Sequence, residues 1–447
     1  MKKISKFLVS LVQKYLPDPF VFCILLTIFV YVCSLLTTSN TPISLINHWY
    51  TGFWSLLSFA MQMVLVLVTG YAMASAPLFK KALHKIALKI KTPAQAIIVV
   101  TLVAMIANVI NWGFGLVIGA IFAKEIAKVV KNVDYPLLIA SAYSGFLVWH
   151  GGLSGSIPLA LATGGETLKT ATGGVVTAPI PSSETIFSFF NITIIVLLLI
   201  AIPLVNMLMH PKKEEAIVVD PKIFIEENQT NKVTEKKFSD KLENSRILSG
   251  IIIIAGLVFI VGYFKDSGFL LSLDIVNFIF LIVGLILHKT PINYVRAIQE
   301  GISGSAGIVL QFPFYAGIMG IMAGVGVNGD SFGSIISTAL VNLTNETTFN
   351  VVTFLNAGIV NFFIPSGGGQ WAIQGPIILP AAQQLGIDAA HSSMAIAWGD
   401  AWTNMIQPFW ALPALGIAKL NAKDIMGYCI VDLIVAGVII CGVFLVL

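Results

Sequence analysis

Residues 365–376 read PSGGGQWAIQGP, set between the apolar runs NVVTFLNAGIVNFFI and IILPAA. Three successive glycines let a ligand approach the backbone closely, and glycine with proline at this density breaks a helix. A helix that restarts at such a break aims its first N–H groups and the positive end of its dipole at the gap. That arrangement suits an anion, above all a carboxylate. Ser366, Gly367, Gly368, Gly369 and Gln370 are therefore candidate substrate contacts. A second break, NVINWGFG (108–115), offers Asn111, Gly113, Phe114 and Gly115 in the same role. The amides of residues 113–116 and 367–370 are expected to hold the carboxylate. The preceding arms end at the breaks, so their carbonyls, with Asn111 and Asn361, suit a small cation such as Na⁺.

Two further stretches, WHGGLSGSIP (149–158) and GDAWTNMIQP (399–408), interrupt apolar runs with glycine and polar side chains. Asp400 is the acidic residue expected near the membrane centre, with no Lys or Arg close by. An ionised carboxylate there costs about 2.5–3.5 kcal/mol on insertion scales. It must be protonated or paired with a cation, which makes it the candidate coupling residue, a Na⁺ or H⁺ site together with Asn111 and Asn361. His150 is the one deep histidine of six, placed to donate to a carboxylate or to relay a proton. Ser154, Thr403 and Asn404 supply further hydrogen bonds. Trp112, Trp149, Trp371, Trp398 and Trp402 are available to line an apolar pocket or simply to pack. Asp432, in the last apolar run, has no evident role.

These residues need elements to hold them. Of 447 residues, 57% are hydrophobic and 11% charged, and the mean hydropathy is +0.89. A soluble domain carries roughly 25% charged residues, so an all-α polytopic membrane protein is expected, without nucleic acid or cofactor. No HExxH motif, nucleophile–base pair or paired acidic motif is present, which argues against an enzyme. The four cysteines, Cys23, Cys33, Cys429 and Cys441, sit in apolar runs without a disulfide pattern.

Lysines 2, 3, 6 and 14 place the N-terminus in the cytoplasm. Alternate threading collects Lys80–Lys91, Lys124–Lys131, Lys212–Arg246, Lys289 with Arg296, and Lys419 with Lys423 on that side, and leaves the C-terminus periplasmic. Residues 1–18 form an amphipathic segment ahead of an uncleaved first helix. The stretch 209–246 is a cytoplasmic loop, with eight basic and eight acidic residues over 210–246.

Residues 19–208 and 271–447 are expected to be repeats of opposite orientation joined by a linking helix, 247–264. Asn111 pairs with Asn361, Tyr143 with Trp398 and Pro158 with Pro413. Each half then holds a re-entrant hairpin (94–131, 348–385) and a broken helix (135–163, 391–416). Inverted repeats with discontinuous helices are the signature of a secondary transporter. The distance from Gly113 to Lys124, about 16 Å of helix, argues for a hairpin arm reaching half-way through the bilayer.

IPSGGGQWAIQGPIILPAA and NWGFGLVIGAIFAKEIA resemble the bacterial short-chain fatty acid transporter family, and the resemblance spans essentially the whole chain. It implies uptake of acetoacetate, butyrate or similar monocarboxylates. That family is similar to a wider group of dicarboxylate and citrate carriers. The wider resemblance implies a homodimer in the bacterial inner membrane, a scaffold and a transport domain per protomer, elevator movement and coupling to a cation, often sodium. One departure stands out: the dicarboxylate carriers place Ser-Asn-Thr at both tips, where this chain has Asn-Trp-Gly-Phe-Gly and Ser-Gly-Gly-Gly-Gln. Fewer hydroxyl and amide groups suit a smaller, more apolar anion. A di- or tricarboxylate symporter or a Na⁺/H⁺ antiporter is the alternative, ranked lower because no deep Lys or Arg is available for a dianion.

Overall fold

A computed structural model describes residues 19–447 apart from 56, 164–167, 170, 173, 220–237, 269–272, 303–304, 343, 363–364 and 366. The amphipathic segment 1–18, residues 220–237 of the 209–246 loop and Ser366 therefore lie outside the described residues. All regular structure among the described residues is helical.

The chain opens with α1 (Pro19–Thr37), α2 (Pro42–Ser55), α3 (Leu57–Ser75) and α4 (Pro77–Ala87). Proline at the first position of α2 and α4 suits a helix start, where its missing N–H costs nothing. A hairpin follows, α5 (Pro93–Ile110) and α6 (Trp112–Val129), and then a helix in pieces: α7 (Tyr135–Tyr143), a 3₁₀ turn (Ser144–Val148) and α8 (Ser156–Thr163). Next come α9 (Phe189–Met209), α10 (Phe238–Glu243), α11 (Arg246–Ser267), α12 (Leu273–His288), α13 (Pro291–Ile302), α14 (Ala306–Ala323) and α15 (Phe332–Val341). The second hairpin is α16 (Phe349–Asn361) and α17 (Gly367–Gln384). A second interrupted helix, α18 (Ala389–Thr403) and α19 (Pro408–Ala418), precedes α20 (Ala422–Val446).

Four described stretches are long and apolar enough to cross a bilayer: Pro93–Ile110, Phe189–Met209, Phe238–Ser267 and Ala422–Val446. The helices pack as two groups. In one, α14 lies against α1 and α2, and α3 against α12 and α13; in the other, α5, α6, α7, α9 and α20 pack together, and α16 runs beside α18. Small residues allow the closest contacts. A Cβ on Gly145 would lie 2.6 Å from the Ala104 backbone of α5, and one on Gly399 would lie 2.6 Å from Ala357 of α16. Each hairpin's first arm is thus clamped by the interrupted helix that follows it.

The structure corrects several boundaries. The first turnaround is at Asn111, not at the glycines 113–115: its extended backbone ends α5, and its Oδ1 accepts from Phe114 N–H at 3.0 Å to start α6. The helix α6 runs past Lys124 to Val129, so α5 and α6 are each 18 residues, about 27 Å. The length argument from Gly113 to Lys124 therefore fails, although α16, at 13 residues or about 20 Å, is shorter than the ~30 Å core. Between the first helix and α4 the chain forms two helices, α2 and α3. Amphipathic α4 and α13 were not anticipated.

Candidate functional site

His150 leaves the 3₁₀ turn after α7 and is completely buried, as is Asp400 on α18. His150 Nδ1 lies 2.7 Å from Asp400 Oδ2. On the other side of the ring, the backbone N–H of Ile157 donates to Nε2 at 3.1 Å, and Ser156 Oγ stands at the same distance. A backbone N–H can only donate, so Nε2 is bare and the proton sits on Nδ1, aimed at Asp400. The pair joins the two interrupted helices. Asp400 Oδ1 is buried and has no hydrogen-bond partner among the described residues.

The second hairpin docks on this pair. A Cβ on Gly367, the first residue of α17, would collide with Ser156 Oγ and lie 2.7 Å from His150 Cε1, so any side chain there must displace one of them. Gly368 is exposed, and a Cβ there meets nothing within 4 Å. Gln370 turns away from this space: its Nε2 donates to Ala357 O at 2.8 Å and to Gln374 Oε1 at 2.7 Å, tying the arms of the hairpin together. Asn361 Nδ2 donates to Asp400 O and to Thr403 Oγ1, both at 2.9 Å, and Thr403 Oγ1 donates to Gly358 O. Asn361 Oδ1, like Asp400 Oδ1, is buried and has no partner among the described residues.

The first tip differs. Trp112 N–H donates to Ser154 Oγ at 3.0 Å, Phe114 N–H to Asn111 Oδ1, and Gly115 N–H to Asn111 O. Three N–H groups at its helix start are taken by the protein itself. Ser154 thus ties the first break to this tip, and Asn111 is a helix cap beside it. Among the expected cation ligands, the structure brings Asn361 to Asp400 and shows no such link for Asn111. Asn404 accepts from Trp149 Nε1 at 3.0 Å through Oδ1 and from Tyr143 OH at 2.6 Å through its carbonyl, bracing one interrupted helix against the other.

The tryptophans mostly pack. Trp112, Trp149, Phe146 and Trp410 form one aromatic cluster, with the Trp149 ring stacked on His150 at 4.1 Å. Trp398 Nε1 donates to Asn191, and Trp402 Nε1 to Leu433 O. Trp371 is buried beneath Gly375. Asp432 is buried on α20. With the Asn206 amide oriented to donate, Nδ2 meets both of its oxygens at 3.1–3.2 Å and Oδ1 accepts from Ser144 Oγ. Sequence reasoning missed Ser156, Trp410 and Asn191. The S-I-P start of α8 is a readable signal for Ser156, whereas the other two are ordinary apolar-run residues brought in by the fold.

Residues 1–447 match the family model described as short chain fatty acid transporter. The chain belongs to the short-chain fatty acid transporter family. A protein of Escherichia coli K12 is 48% identical over 439 residues, 98% of each chain, and one of Haemophilus influenzae is 45% identical over 453 residues, 99% of each. The names of both call them short-chain fatty acid transporters. Among solved structures, the YdaH transporter of Alcanivorax borkumensis aligns over 96% of this chain and 97% of its own, at 18% identity and a TM-score of 0.48. Members of the short-chain fatty acid transporter family are carriers rather than enzymes, and this chain is a multi-pass membrane protein that handles a small fatty acid.

Proposed function

We propose that this protein is a cation-coupled symporter of short-chain monocarboxylates such as butyrate or acetoacetate in the bacterial inner membrane. The carboxylate sits against the amides that open α17, at Gly368 and Gly369, where the helix dipole favours negative charge. The observation that carries this reading is the pairing at one tip: Gly368 faces open space while Gly367 presses on His150, whose proton points at the buried Asp400. A cation on Asp400, either H⁺ on Oδ1 or Na⁺ shared with the unpartnered Asn361 oxygen, neutralises the carboxylate behind the tip. That ties tip position to ion occupancy, which is the coupling a symporter requires.

The two halves act as inverted repeats, with a scaffold built around α1–α3 and α11–α14 and a transport domain carrying both tips. The protomers assemble as a homodimer, the lysine-rich ends lie in the cytoplasm, and the transport domain moves as an elevator. The supporting features are the matched clamps at Gly145 and Gly399 and the lack of any buried Lys or Arg for a dianion among the described residues.

Proteoliposome uptake of labelled butyrate and acetoacetate, with sodium and proton gradients imposed separately, tests the proposal. Accumulation driven by one of the two gradients is expected. Uptake that only equilibrates under both gradients refutes coupling.

A further inference from the structure

At the lysine-rich end of the bundle, α3 stops at Ser75 and the chain bends by 66° into α4. Nearby, α12 ends at His288, and Lys289 turns the chain into α13 with a φ of +68°. His288 Nε2 donates to Ala72 O at 2.7 Å, so one turn is pinned to the other. Between them lies a cavity of about 630 Å³.

Its wall carries Lys80, Lys81, Lys289 and Arg296 against one carboxylate, Glu300, with Asn293 adding an amide. No carboxylate pairs with Lys81, Lys289 or Arg296 among the described residues. Uncompensated like charges around a cavity repel one another, and an anion relieves that repulsion. Phosphate, with several acceptor oxygens, satisfies an Arg fork and ammonium groups together. The wall also has an apolar part: Leu78 is 65% exposed, with Pro77 and Leu287 beside the same cavity. The cations Lys81, Lys289 and Arg296 are exposed, and together with an exposed aliphatic side chain at the same cavity they match a headgroup with its acyl chains alongside.

We propose that the cavity between the α3–α4 and α12–α13 turns is a phosphate-binding site, filled by the headgroup of an anionic phospholipid. The site also has a line to the first tip, because Phe79 of α4 meets Phe114 edge-on at 6.0 Å. An occupied cavity holds α4 in the position that makes this contact. The proposal does not depend on the transport reading of His150 and Asp400.

The test uses the full-length protein and two probes. One is nanodiscs of phosphatidylcholine with or without phosphatidylglycerol; the other is inorganic phosphate added in detergent. Phosphatidylglycerol is expected to raise the melting temperature of the wild type and to leave a Lys289→Asn/Arg296→Gln variant unmoved. Asn tolerates the left-handed backbone at 289, so the variant keeps its turn. A rise with inorganic phosphate alone assigns the site to free phosphate, and a rise with phosphatidylglycerol alone assigns it to lipid. A Lys131→Gln/Lys423→Gln control, which removes the same charge outside the cavity, should respond as the wild type does. Equal responses of the wild type and the cavity variant to both probes, or a lost response in the control, overturns the proposal.

Discussion

The bare Nε2 of His150 decides what the neighbouring carboxylate can do. With Nδ1–H directed at Oδ2, Oδ1, which has no partner among the described residues, is the atom to which the proposed coupling assigns the cation. Asp400→Asn keeps an oxygen for His150 to donate to while removing the charge. The variant should insert and fold normally, yet its uptake should fall to equilibration with no accumulation, checked in proteoliposomes beside a melting curve. Gradient-driven accumulation at the wild-type level would remove Asp400 from the mechanism. The glycines of the second tip give a paired prediction. Gly368→Val places its side chain in open space, so the fold should survive while substrate affinity drops at least tenfold, read by binding to the purified protein. Gly367→Ala instead drives a methyl into Ser156 and His150. It should destabilise by about 1–3 kcal/mol, the usual cost of overpacking, whether or not substrate is present.

At the scale of elements, the interrupted helices and the second break were legible in the sequence, because glycine, proline and isolated polar residues inside apolar runs have few other readings. The first break was read two residues late, at Gly113: NWGFG draws attention to its glycines, while the turn is made by Asn111, whose Oδ1 caps the next helix. Helices α4 and α13 were hidden by their own amphipathicity, since Lys80, Lys81, Lys85 and Arg296 look like a solvated loop when hydropathy alone is followed. Tertiary knots were not legible either. Asp134, which caps α7 through Leu137 N–H, also accepts from Ile217 N–H at 2.9 Å, and its own N–H donates to His210 Nε2. One side chain thereby fixes the chain after α9 to the start of α7. Losing it in Asp134→Ala should cost about 1–2 kcal/mol, as loss of a cap does, visible as a lower melting temperature. Burial pushes this carboxyl above its ordinary value, with the backbone donors of Ile217 and Leu137 pulling it back. A folded-state value above the unfolded one means that the stabilisation is complete below the unfolded value and is lost as pH rises through the folded one. The wild-type melting temperature should therefore carry a component that declines with pH above about 3.8, and Asp134→Asn should lack it.

Taken as a whole, the molecule puts one helix, α6, between its two groups. A Cβ on Gly70 of α3 would lie 3.5 Å from Gly113 O, Phe114 meets Phe79 and Phe280, and Glu125 pairs with Lys128 on its own helix and with His84 of α4. These contacts are small rings, glycines and one partly exposed ion pair, which is worth little at a surface. A seam of that kind can be remade at another register, whereas the α2–α14 and α16–α18 contacts inside each group are too close to slide. An elevator requires α6 and the tips to travel past α3 and α4, so a bond across the seam should stop transport. In a background lacking Cys23, Cys33, Cys429 and Cys441, a Phe79→Cys/Phe114→Cys pair joined by a short cross-linker should abolish uptake until the link is cleaved. The matching pair inside one group, Phe20→Cys with Phe314→Cys, whose native rings lie 5.0 Å apart, should cross-link without loss. Undiminished uptake from fully cross-linked Phe79→Cys/Phe114→Cys protein, with the link verified by mass, rejects sliding along this seam. That outcome leaves the proposed carboxylate site at Gly368 standing, and substrate would then have to pass by a local opening of the second tip.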